Sequence, residues 1–161
     1  MANLYVTITE EITLPNNNVE KTYNFKSIEG VNQIVRRVDT IATKFSGSGI
    51  EILRFCDSEE EQTGGAFVKS AVKYMRITNI SKINSAVIYL LDVNNESTLF
   101  NLSPGKSLMF NDADFNASST QDYMDESFVD EMYYSNFVYI DSIKAKAISG
   151  STQLEYFVAS S

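Results

Sequence analysis

The chain has no His and no Trp, a single Cys and only two Pro among 161 residues. Without His there is no Ser-His-Asp or Cys-His relay, no imidazole general base and no His zinc site. One thiol, Cys56, excludes an internal disulfide and every multi-thiolate metal or iron–sulfur site. No run reaches about 18 apolar residues, which predicts no membrane span. The opening residues carry neither a basic nor an apolar leader pattern, and the expectation is no signal peptide. Acids outnumber Lys plus Arg by 21 to 13, a formal charge of −8 that disfavours nucleic-acid backbones. The expectation is a soluble, non-secreted, non-catalytic protein with no cofactor, no nucleic-acid partner and no membrane.

A chain of this size buries close to 70% of its unfolded surface, by an order-of-magnitude scaling, so one domain spanning residues 1–161 with its own core is expected. The patterning is that of strands. Leu4, Val6 and Ile8 alternate with Tyr5, Thr7 and Thr9, a half-buried strand over residues 3–14. Pro15 and the asparagines that follow predict a reversal, and Lys21, Tyr23 and Phe25 share one face of a returning strand. Further strands are expected at 50–55, 71–80, 86–93, 98–102, 107–110, 137–149 and 153–159. Pro104-Gly105 suits the two central positions of a type II turn. Residues 28–45 fit two templates. Ile28, Val31, Ile34, Val35, Val38 and Ile41 lie at helical spacing, yet the β-branched content favours a strand over 33–43. Strand is the expectation and helix the alternative. Together these elements predict an all-β protein: an antiparallel, jelly-roll-like β-sandwich with a long insertion at residues 111–135.

That insertion lies in the sharpest charge feature. From Ser107 to Ile143 there is no Lys or Arg, while Asp112, Asp114, Asp122, Asp125, Glu126, Asp130, Glu131 and Asp141 equal the whole net charge. A solvated loop is the ordinary explanation of such a run. The interleaved large apolar residues argue for a segment that lies against something. The candidate partner-binding residues are Asp112, Asp114, Phe115, Tyr123, Met124, Phe128, Tyr133 and Tyr134. The run from Asp112 begins like an EF-hand loop, but Ala117 stands at the glycine position and Tyr123 at the bidentate-glutamate position, which excludes that motif. An irregular Ca²⁺ site is left open. Cys56, with no His to activate it and an apolar strand before it, is expected to be buried and inert.

Two motifs carry a resemblance. Val72-Lys73-Tyr74-Met75-Arg76-Ile77-Thr78-Asn79 is followed, after an apolar strand, by Phe100-Asn101-Leu102-Ser103-Pro104-Gly105-Lys106-Ser107-Leu108. The pattern resembles small β-sandwich virion proteins of tailed bacteriophages, in which strand-Arg-Ile-x-Asn precedes a Leu-x-Pro-Gly-x-Ser turn. The last two strands, joined through Ser149-Gly150-Ser151, are similar to the end of such proteins. The acidic, aromatic insertion departs from the simple pattern. The resemblance implies a capsid decoration, cement or minor head protein. Such a protein is assembled in the host cytoplasm, resides in the virion, oligomerises and contacts other capsid or neck subunits. No catalytic residue is carried over. In that role Met1 to Glu11, like the 111–135 segment, is a candidate arm for pairing with a neighbour's open strand edge. The rival reading is a carbohydrate- or receptor-binding sandwich, with Tyr123, Tyr133 and Tyr134 as stacking platforms.

Overall fold

The computed structural model describes residues 2–16, 18–43, 49–93, 97–110 and 140–161. Eleven strands account for most of them: β1 (Ala2–Thr13), β2 (Val19–Val31), β3 (Gln33–Ala42), β4 (Ile50–Cys56), β5 (Phe67–Val68), β6 (Val72–Asn79), β7 (Ala86–Asp92), β8 (Ser97–Leu102), β9 (Ser107–Phe110), β10 (Ile140–Ala147) and β11 (Ser151–Ser160). Single 3-10 turns sit at Glu59–Glu61 and Lys69–Ala71. The molecule is an all-β sandwich. One sheet runs β5-β4-β10-β7-β8 and the other β3-β11-β6-β9, while β1 and β2 form a ribbon of their own.

The strand pairs nest inside one another. β7 pairs with β8, β6 with β9, β4 with β10 and β3 with β11, all antiparallel, as if one long ribbon had been wound around the core. Between the sheets lie Met75, Ile77, Ile88, Ile143, Leu154, Tyr156 and Val158, none more than 1% exposed. A fully buried side chain of this kind contributes about 1.5–3 kcal/mol relative to exposure. β11 is apolar from Tyr156 to Ala159, where both of its faces are covered. Leu154, Tyr156 and Val158 point into the sandwich, while Phe157 and Ala159 meet the base of the ribbon.

The ambiguous stretch 28–45 resolves as strand. Residues up to Val31 finish β2, and residues 33–42 form β3 in unbroken register with β11. The helical spacing was a coincidence of β-branched residues that serve two different strands. The returning strand also runs six residues beyond Phe25, so the first hairpin is longer than the alternation implied. Strand β10, expected at 137–149, ends at Ala147, two residues early, and is described from Ile140; residues 137–139 lie outside the described residues. The loop over 57–62 holds a 3-10 turn, and the two-residue β5 is too short to leave a periodic signal. Cys56 is buried, its thiol pushed up by burial and donating to the Phe67 carbonyl at 3.5 Å. The 111–135 insertion lies outside the described residues.

The two sequence motifs meet at one end of the sandwich. Asn79, wholly buried, donates through Nδ2 to the Leu102 and Asn84 carbonyls at 2.8 Å each. Its Oδ1 accepts from Thr152 Oγ1 and the Ser81 amide at 3.0 Å each. All four bonding positions of the amide are thereby used. Gly105, at φ +72°, donates its amide to the Asn79 carbonyl at 2.8 Å, and the Lys106 amide closes the turn on Ser103 at 3.1 Å. That positive φ is what a type II turn requires at its third residue. Asn79 thus ties the ends of β6, β8 and β11 to the start of β7. Replacing Asn79 by Ala removes all four bonds at once and takes the side-chain partner from the Leu102 carbonyl and the Ser81 amide, while Thr152 Oγ1 and the Asn84 carbonyl keep their own bond at 3.1 Å. The expected loss is about 3 kcal/mol, or roughly 6–12 °C of melting temperature, measurable by calorimetry.

Candidate interaction surface

Strands β1 and β2 pair from Leu4↔Ile28 to Thr13↔Val19, and the Leu14 amide closes the tip on the Asn18 carbonyl at 2.8 Å. At about 3.4 Å per residue the twelve residues of β1 make a ribbon about 40 Å long. Its root is anchored: Leu4, Val6 and Ile28 pack with Val31 onto Tyr74, Phe157 and Ala159, on the outer face of the four-stranded sheet. Tyr74 and Phe157 meet edge to face at 5.8 Å. Opposite Asn3 the ribbon carries a bulge, where Gly30 takes φ +72° and the register shifts. Such a bulge bends and twists the strand that carries it, here at the ribbon's root.

Beyond the root the ribbon is an arm. From Thr9 to Phe25 every described residue except Leu14 is exposed. A two-stranded ribbon is marginal by itself in water, and this one displays large apolar side chains. Tyr5, Tyr23 and Phe25 are 61%, 66% and 65% exposed. They lie on the face turned away from the sandwich, with the Tyr5 and Phe25 rings stacked at 5.7 Å. Thr7, Thr9 and Ser27 fill the same face without charge, and Lys21 pairs with Glu11 at 2.8 Å nearer the tip. The opposite, sandwich-side face continues outward from Val6 with Ile8, Glu10 and Ile12, and returns through Glu20, Thr22 and Asn24. Glu10 and Glu20 form no ion pair with any described residue.

Among the described residues, the outer face of the four-stranded sheet is covered only where the ribbon root lies on it. Next to that root, Glu155 accepts from Arg36 Nε at 2.9 Å and from Arg76 at 2.7 Å. The Arg36 bond holds the Glu155 carboxyl below the usual glutamate range; burial opposes that and Arg76 reinforces it. Two guanidinium groups around one carboxylate leave a net positive centre. Arg36 is two-thirds exposed, and Ile34 and Val38 flank it on β3 at 54% and 50% exposure. On the inner side of β3, Tyr156 donates its hydroxyl to Asp39 while Arg37 sits 5.7 Å over its ring. Burial, with that bond to Asp39, pushes the Tyr156 phenol far up.

Asp112, Asp114, Phe115, Tyr123, Met124, Phe128, Tyr133 and Tyr134 all lie outside the described residues, as does the Ca²⁺ possibility at residues 112–123. Among the described residues no cluster of His, Cys, Asp or Glu has metal-site geometry, and no helix is long and apolar enough to cross a membrane. The arm residues Tyr5, Tyr23 and Phe25 were visible in the sequence as alternating partners. What marked them was that both faces of one early hairpin carry large apolar side chains. No family model, curated protein or solved structure matches this chain.

Two outcomes follow from this geometry. Changing Tyr23 and Phe25 to Ser should move the melting temperature of the dilute protein by no more than about 4 °C, since exposed substitutions usually cost under about 0.5 kcal/mol each. A drop comparable to that of Asn79→Ala would mean that the arm is part of the core. Glu155→Gln should cost about 2 kcal/mol at pH 7, read by denaturant titration. The folded Glu155 value lies below the unfolded one. Its contribution is therefore complete above the ordinary glutamate value of about 4.3 and is lost as pH falls through the folded value, so the variant's deficit should shrink toward strong acid.

Proposed function

We propose that this chain is a non-enzymatic virion structural protein, a capsid decoration or minor head component that acts through protein–protein contacts. The observation that carries the reading is the exposed arm, a ribbon rooted in a rigid sandwich and bearing apolar side chains that the described fold does not cover. Contiguous exposed apolar surface on a stable domain marks an interaction site. A particle component needs this combination of a stiff body and an adhesive projection, because its grip comes from many repeated contacts.

The strand order supports the same reading. With β5 set aside, the sheets read β3-β11-β6-β9 and β4-β10-β7-β8, built from four nested antiparallel pairs. We take this as a jelly roll, an architecture that recurs in viral capsid domains as well as in lectins. Fold alone does not choose between those uses. The arm favours the particle, since a sugar site needs a concave, polar-lined platform rather than a projecting apolar ribbon. The motif residues Arg76, Asn79 and Gly105, which carry the resemblance, serve to lock the sandwich and hold Glu155.

The test is the abundance of the chain in intact particles from infected cultures, by quantitative mass spectrometry against the major shell protein. Hundreds of copies per particle fit a decoration role and about a dozen a head–tail junction, following the closed symmetries of shells and rings. Absence from purified particles overturns the proposal.

A further inference from the structure

We propose that the arm's sandwich-side face docks in trans on the outer face of the four-stranded sheet of a second copy of this chain, beside β3. The root of the same arm face already seals one end of the same sheet in cis, through Leu4, Val6 and Ile28 on Tyr74, Phe157 and Ala159. Further out, that face offers Ile8 and Ile12 interleaved with Glu10 and Glu20, two carboxylates with no cationic partner in their own chain's described residues. The open part of the sheet offers the matching set in reverse sign. Ile34 and Val38 stand on either side of the exposed Arg36, whose positive charge the shared Glu155 only partly offsets. Apolar residues meet apolar residues, and unpaired glutamates meet an under-neutralised arginine pair. Complementarity of this kind selects a partner and its register.

Area argues for a reciprocal exchange. The distal eight residues of each strand make a face about 27 Å long and about 10 Å wide, so one docked arm removes about 600 Å² counted on both surfaces. That is below what a stable interface requires. Two arms exchanged between the same two copies reach about 1,200 Å², the lower limit for a specific dimer.

This contact deepens the particle reading by naming a second copy as partner, and the two fail separately. The test uses the full chain in sedimentation velocity over a concentration series, beside a Glu10→Lys/Glu20→Lys variant. All the substituted side chains are exposed, so circular dichroism and melting temperature should match the parent. The expected result is self-association that weakens at least tenfold in the variant. Mild oxidation of an equimolar mixture of Ile12→Cys and Val38→Cys chains should also give a 12-to-38 disulfide between copies. A chain that stays monomeric up to about 100 µM overturns the contact. So does association that ignores the glutamate changes, or cross-linking only between two Ile12→Cys arms. A monomeric chain found in particles would leave the particle reading standing, and an arm-dependent dimer absent from particles would do the reverse.

Discussion

Sheets bury side chains only when something lies across them, and that requirement organises this molecule. Two sheets face each other and sequester Met75, Ile77, Ile88, Ile143, Leu154 and Val158 between them. The ribbon of β1 and β2 has one such neighbour at its root and none among the described residues further out. Among the described residues the sandwich therefore covers its own core, and the distal arm has no such cover. Everything functional in the account descends from that difference, because an uncovered ribbon with tyrosines, phenylalanine and isoleucines on it is a surface awaiting a counterpart.

Polar chemistry settles the details that apolar burial leaves loose. Asn79 fixes four strand ends to one another with every bond of its amide used. Glu155 holds Arg36 and Arg76 on the outer face, where they sit beside the ribbon root and give that face its sign. The first is a clasp, and the second is an electrostatic marker on a face where Ile34, Val38 and Phe157 stand among polar Thr40, Thr78 and Gln153.

Much of the fold was legible because alternation reports directly which residues share a face. The strands at β1, β6, β7 and β9 and the Pro104-Gly105 turn followed from periodicity and turn chemistry. Residues 28–45 were ambiguous because Ile28, Val31, Ile34 and Val35 satisfy helical spacing by accident, and only their pairing with β1 and β11 shows them as strand. The nested pairing of β3 with β11 and β4 with β10 joins residues over a hundred positions apart in places, which no local pattern encodes. The arm was half visible. Alternation placed Tyr23 with Phe25, but it does not say whether a third layer covers them. The acidic and aromatic residues from Asp112 to Tyr134 drew attention through composition, and they lie outside the described residues.

The central claim is that the arm is ordered by a partner rather than by its own chain. Hydrogen exchange measures this directly, since amides open at rates set by local stability. In dilute solution the amides of residues 8–24 should exchange far faster than those of β6, β10 and β11. In the concentrated or particle-bound state they should slow by at least about tenfold while the sandwich is unchanged. Equal, slow exchange of the arm in both states would contradict the account.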